Sequence, residues 1–358
     1  MNISIIIVVK QGTDPMIKYS RALNSLRCYS LLQEYPFYIV FDDIYDECKK
    51  HKDKFFRRHC TIEKFMRHNL SPDEWLFVMD ADIAVVNPNM YVLDQFFFYK
   101  TQHISSLLEK YINSRFDITL FDRFFNWEVA ALSYLVRNTD TGRRFVGQFA
   151  LWEFKLPNVT GHGTDNGALH PYLMELLAPG PSKIKDVCYE IWYKSESSRE
   201  LFSMEACSRM VIGDRVEFPE KSLRILPKGT AWARDIYLLS SAWAENDFMA
   251  GALQLHAAKE DNFRPYDSKL DDFSKMSDKD LIMWLPQDRT HSYVFPVLTK
   301  LNLEQCMKGD AVWHLDGRLK ISNERKMKAL EMFEYGVLKM RMGFVSLLAG
   351  IFQKKSGV

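Results

Sequence analysis

Asp80-Ala81-Asp82 places two carboxylates on either side of one small residue, directly after five large apolar residues, Trp75-Leu76-Phe77-Val78-Met79. A run that is apolar at every position reads as a strand covered on both faces, in the middle of a sheet. Ligands of open α/β sheets collect beyond the carboxyl ends of such strands. Both carboxylates can reach one ion where the chain turns out of the sheet, and Ala81 permits that turn. Two carboxylates beside an apolar strand repel each other and lose hydration, a cost that a divalent cation offsets. Oxygen ligands of this kind suit Mn²⁺ or Mg²⁺, with water and substrate phosphates completing the shell. Taken alone, an Asp-x-Asp is better explained by a capped turn and a solvated carboxylate. The flanking apolar runs, before it and again from Ile83 to Val86, favour the ion. A phosphohydrolase would use the first aspartate as nucleophile, but that pattern normally continues with a small hydroxyl residue, and here Ile83 and Ala84 follow.

The elements that must position this motif alternate as in a parallel α/β sheet. Ile3 to Val9 reads as a buried strand, Met16 to Glu34 as a helix, Tyr38 to Phe41 as a strand ending at Asp42-Asp43, and a basic helix-like segment carries Arg57, Arg58, Lys64 and Arg67. Strands are expected over Phe116–Phe121 and Ala130–Val136. Helices are expected over Thr139–Phe154, with Thr139 near the N-cap, and from Thr164 or Asp165 to Leu177, stopped by Pro179-Gly180-Pro181. Residues 182–260 are expected to hold one helix, a turn-rich passage and a strand ending at Leu255-His256. Beyond them the chain is mostly helical in pattern, and its apolar patch from Met342 to Phe352 is shorter than a membrane span needs.

The 358 residues carry 47% hydrophobic and 14% aromatic residues and a formal charge of +1. This composition gives a globular chain with a sizeable core and no electrostatic reason to expect nucleic acid or an anionic membrane as partner. Six dispersed cysteines, with no CxxC pair, read as ordinary thiols, although an even number permits disulfides. Asn2 and Asn158 head glycosylation sequons. The N-terminal apolar run is too short for a signal or a span.

Four segments, Trp75–Pro88, Phe121–Glu128, Trp152–Pro157 and His162–His170, together resemble the nucleotide-diphospho-sugar transferases of domain-of-unknown-function family 273, over roughly residues 3–265. That resemblance implies a GT-A (Rossmann-like) α/β domain over 1–265, with a mixed, mostly parallel central sheet and helices on both faces, and a mainly helical extension over 266–358. It further implies a metal-dependent transferase that moves a hexose or pentose from a UDP-sugar to a glycan or glycoconjugate hydroxyl with retention, working in the Golgi or secretory lumen. In related enzymes a late histidine completes the metal shell and a nearby lysine contacts the diphosphate; His256 and Lys259 occupy those places, although Ala257-Ala258 replaces the usual glycine.

The implied metal set is therefore Asp80, Asp82 and His256. Asp165 and Asn166 are the expected catalytic pair, hydrogen-bonding sugar hydroxyls at the start of a helix whose flanking glycines allow close backbone approach; a plainly capped helix explains Asp165 equally well. Lys10 and Gly12 after the first strand and Asp42 after the second are expected, from topology, at the base and ribose. Lys64, with Arg57 and Arg58, could assist the phosphates, and a solvated helix face explains that basic run at least as well. A non-catalytic binder of nucleotide sugars on the same fold would keep the same motifs.

Overall fold

A computed structural model describes residues 2–85, 111–123, 126–227, 230–235 and 254–256. Lys259, expected at the diphosphate, the helical extension expected over 266–358 and the patch Met342–Phe352 lie outside the described residues.

Strand β1 (Ile3–Val9) and strand β3 (Trp75–Met79) are buried along nearly their whole length, as expected for strands with both faces covered. They are parallel neighbours, and β2 (Phe37–Phe41) pairs parallel to β1 on the other side. The seven-stranded sheet has the order β2-β1-β3-β6-β5-β8-β7, where β5 is Ile118–Phe121, β6 Ser133–Arg137, β7 Glu217–Phe218 and β8 Leu223–Leu226. β6 is antiparallel to both β3 and β5, and β5 is parallel to β8. The sheet is therefore mixed, and the carboxyl ends of β1, β3 and β5 share one edge.

Side chains alternate between two cores, as a period of two requires. Ile6, Leu76, Val78 and Val136 face the core built with α3 (Lys54–Asn69), α4 (Asp140–Ala150), α5 (Thr164–Leu177), α6 (Lys183–Tyr193) and α7 (Ser198–Ile212). Ile5, Ile7, Phe77 and Met79 face the other, with Leu23, Leu26 and Tyr29 of α2 (Ser20–Gln33) and with Trp232. Thr139 caps α4, its hydroxyl accepting from the Gly142 N–H.

A short helix α1 (Pro15–Lys18) precedes α2, so the single helix expected over Met16–Glu34 is broken at Tyr19. The helix expected to reach Phe154 ends at Ala150 and tightens into a 3₁₀ turn over Leu151–Lys155. Where one helix was expected beyond residue 182 the described residues hold two: α6 ends at Tyr193, and Ser197 with Glu200 forms a capping box that starts α7. A second, three-stranded sheet joins β4 (Ala84–Val85), β10 (Gln254–His256) and β9 (Ala233–Asp235).

The expectation of ordinary thiols is overturned. Cys48 bonds to Cys60, tying the turn after β2 to α3, and Cys188 bonds to Cys207, tying α6 to α7; Cys28 is disulfide-bonded as well. In both named pairs the Cα atoms stand 5.5 Å apart, a separation that only the fold could reveal. Among the described residues no helix is long and apolar enough to cross a membrane.

Candidate active site

At the end of β3 the chain makes the turn that the Asp-x-Asp spacing requires. The Ile83 N–H donates to the Asp80 carbonyl (3.1 Å), closing a four-residue turn, and the Asp80 N–H donates to Leu132 O at 2.9 Å. Both Asp80 and Asp82 consequently line one cleft, together with Lys10, Lys18, Tyr19, Asp42, Lys54, Phe55 and Arg58. Four cations and three carboxylates thus meet at the carboxyl edge of the sheet. The donor set suits a hard divalent cation on the two aspartates and an anionic ligand on the surrounding ammonium and guanidinium groups.

Arg58 is the residue that organises the site. It lies on α3 and is 7% exposed. One guanidinium nitrogen meets the Asp80 carboxylate and the other pairs with Asp165 Oδ2 at 2.6 Å. The basic run is therefore not uniformly solvated: Arg58 shares the buried face of α3 with His59, Ile62, Phe65 and Met66. Phe55 lies within cation–π distance of both Lys54 (4.7 Å) and Arg58 (5.8 Å).

Asp165 is 1% exposed and stands behind Arg58 rather than in the wall of the cleft. Its Oδ2 also accepts from His59 Nε2 (3.2 Å), and its Oδ1 accepts the Asn166 N–H (2.9 Å). Burial pushes its pKa up, but Arg58, then the hydrogen bond from His59 and the Asn166 amide, outweigh it and hold the carboxyl at about 2. It is the second residue of α5, where a carboxylate suits the positive end of the helix dipole; the N-cap is Gly163, at φ 74°. Thr164 follows at φ 50°, a strained conformation for a β-branched residue.

The glycines around Asp165 approach the protein's own chain. A Cβ on Gly167 would lie 1.9 Å from the His162 carbonyl, and one on Gly161 2.6 Å from the Ser197 nitrogen. The side chain of Asn166 braces the fold, its Oδ1 accepting the Ala131 N–H at 3.2 Å. One turn further along, His170 Nε2 accepts the Val129 N–H at 3.1 Å. Residues 129–132 are thereby stapled to α5 at one end and to the Asp80 turn at the other.

Asp42 is 1% exposed and accepts the Gln11 N–H at 2.9 Å, so it fixes the loop after β1 against the end of β2 while facing the cleft. In that loop Gly12 takes φ 79°, and nothing lies within 4 Å of where its side chain would begin; the backbone there is open to a ligand. Lys64 pairs with Glu47 at 3.5 Å and does not line the cleft. For His256 the backbone gives the placement. β10 runs antiparallel to β4 with Leu255 opposite Ala84, and His256 is the last residue of β10, one step beyond that pair in the direction of the Asp80 turn. Among the described residues no three His, Cys, Asp or Glu side chains are gathered as a metal site, so the set proposed from sequence rests on Asp80 and Asp82 in the cleft and on this strand register. Lys18, Lys54, Tyr19 and Phe55 were not singled out by sequence reasoning, and nothing in their spacing marks them.

Comparison with known structures finds a glycosyltransferase involved in the glycosylation of the major capsid of PBCV-1, at 11% identity and a TM-score of 0.38, covering 72% of this chain and 93% of that one. It also finds the glycosyltransferase GlyE of Streptococcus pneumoniae TIGR4 (10%, TM-score 0.33, 81% of this chain and 62% of that one) and mouse xyloside xylosyltransferase 1 in its apo form (8%, TM-score 0.31, 72% and 97%). No curated protein matches significantly. Residues 26–267, most of the chain and the cleft lining from Asp42 onward, match one family, and the chain belongs to it: the family described as protein of unknown function, DUF273.

Proposed function

We propose that this chain is a metal-dependent glycosyltransferase that moves a hexose or pentose from a UDP-sugar to a glycan or glycoconjugate hydroxyl with retention. One observation carries the reading: Asp80 and Asp82 leave the carboxyl end of the central strand on a turn that brings both into one cleft with Lys10, Lys18, Lys54 and Arg58. A Mn²⁺ or Mg²⁺ ion held by Asp80, Asp82 and His256 would supply Lewis-acid stabilisation of the departing diphosphate. The chain's own cations hold the diphosphate oxygens, with Lys259 as a further candidate. The loop of Lys10 and Gly12, fixed by Asp42, offers open backbone to the nucleoside. Asp165 acts through Arg58, and Asn166 keeps the 129–132 segment in place, which supports a site without a strong base at the sugar, as a retaining transfer allows. The disulfides fit an oxidising secretory lumen such as the Golgi.

Thermal unfolding with UDP, with and without Mn²⁺, tests this. Saturation at a hundred times the Kd adds about 2.7 kcal/mol to stability, so the wild type should melt higher with both ligands than with either alone. Asp82→Ala should keep the unliganded melting temperature, lose the Mn²⁺-dependent increment and lose UDP-sugar turnover. An increment that survives in Asp82→Ala, or release of inorganic phosphate from simple monophosphates, would overturn the reading.

A further inference from the structure

Behind the cleft the polar contacts continue into the core. Arg58 touches Asp165, Asp165 accepts from His59 Nε2, and His59 Nδ1 lies 3.0 Å from the Tyr134 hydroxyl. His59 and Tyr134 are essentially fully buried. They contribute nothing to the cleft wall, and packing alone would be served as well by leucine and phenylalanine. Burying an imidazole and a phenol in an apolar core carries a desolvation cost unless their hydrogen bonds are made, and here they are made in one direction.

The hydrogen-bond directions follow from the acceptor at the end of the row. An ionised Asp165 only accepts, so His59 carries its proton on Nε2. Burial, partly opposed by the Asp165 contact, pushes the imidazole pKa down to about 4, so the ring is neutral and its Nδ1 is an acceptor for the Tyr134 O–H. Asp165 Oδ2 then receives both Arg58 and His59, while Oδ1 receives the Asn166 amide. With donors on both oxygens the carboxylate cannot rotate freely. The guanidinium anchored to it presents its other nitrogen to Asp80 at the cleft.

We propose that His59 and Tyr134 are positioning residues: a neutral relay that locks the Asp165 carboxylate, and through it aims the Arg58 guanidinium at the metal-binding aspartate and the donor diphosphate. The inference rests on the glycosyl-transfer reading and deepens it, since it assigns two residues that never touch substrate to the affinity of the site.

The test compares His59→Gln, His59→Phe and Tyr134→Phe with the wild type, using UDP in the presence of Mn²⁺ as the calorimetric probe and near-UV circular dichroism as the check on folding. A glutamine amide occupies the place of Nε2–H and keeps the bond to Asp165; phenylalanine keeps the bulk alone. An Arg58 guanidinium that loses its aim forfeits one charged hydrogen bond to the diphosphate, which corresponds to about tenfold in affinity. His59→Phe should weaken UDP binding by about that factor, Tyr134→Phe by less, and His59→Gln should restore most of the loss. A structural role alone would not make affinity track the amide. His59→Phe binding like the wild type, or His59→Gln no better than His59→Phe, overturns the relay while leaving the function intact. If His59→Phe does not fold, the same comparison stands between His59→Gln and Tyr134→Phe, and the relay falls if Tyr134→Phe binds like the wild type. A wild-type chain that binds no UDP with Mn²⁺ sinks the functional reading and this inference with it.

Discussion

His170 makes the acid stability of this protein calculable. The imidazole is fully buried on α5; its Nε2 accepts the Val129 N–H, and its Nδ1–H donates to the Ser208 hydroxyl, which donates in turn to Glu205 O at 2.9 Å. Protonation would put a hydrogen on Nε2, facing the Val129 N–H. Burial first, and the nearby Arg209 second, push its pKa down from 6.5 to about 3. Because the folded value lies below the unfolded one, the unfolded chain binds the extra proton, and stability falls as pH drops from about 6.5 towards about 3. Between pH 7 and about pH 5 the unfolded imidazole becomes almost fully protonated while the folded one stays neutral, a loss of about 2 kcal/mol. His59, with a folded value of about 4, loses about as much over the same interval. Urea unfolding of wild type and His170→Gln at the two pH values, with disulfides intact, isolates one residue: the glutamine variant should lose about 2 kcal/mol less on acidification than the wild type. Equal losses in the two proteins would show that His170 takes up its proton as readily in the folded state as in the unfolded chain, and the packing described for α5 against residues 129–132 would be wrong.

Replacing Cys188 and Cys207 together with alanine opens a cross-link between residues 19 apart and should lower stability by about 3 kcal/mol; an unchanged urea midpoint under non-reducing conditions would show that the bridge does not form. Gly167→Ala places a methyl group 1.9 Å from the His162 carbonyl and should destabilise by about 1–3 kcal/mol, with a loss of UDP affinity, as α5 shifts and carries Asp165 with it. A fully stable alanine variant would contradict the close approach of that loop to the helix.

The central strands and the acidic turn were legible because each rests on local chemistry. Trp75–Met79 is a strand by its unbroken apolar run, and the turn at Asp80–Asp82 follows from where that run ends. The role of Arg58 was hidden by its neighbours. It stands in a basic run, and a basic run ordinarily means a wetted helix face. The signal was nonetheless present: Arg58 falls three residues after Phe55, four before Ile62 and seven before Phe65, on the apolar stripe of α3. A cation on that stripe has to find carboxylate partners, and the half-buried Asp80 and the buried Asp165 are the ones the fold brings to it.

The disulfides and the break between α6 and α7 were illegible for a different reason. Cysteine spacing carries no information about which chain segments pack together, and the capping box of Ser197 and Glu200 sits in a stretch, Ser195–Glu200, whose polarity suits a loop equally well. The glycines of Gly161–Gly167 show the same ambiguity from the other side. Sequence marks them as places where backbone must come close to something, and the partner, a ligand or the chain itself, depends on distant residues. Here the partners are Ser195–Ser197, Leu201 and the His162 carbonyl, so the motif sets the height of α5 over the sheet. The position of Asp165, and with it the aim of Arg58 into the cleft, follows from that packing.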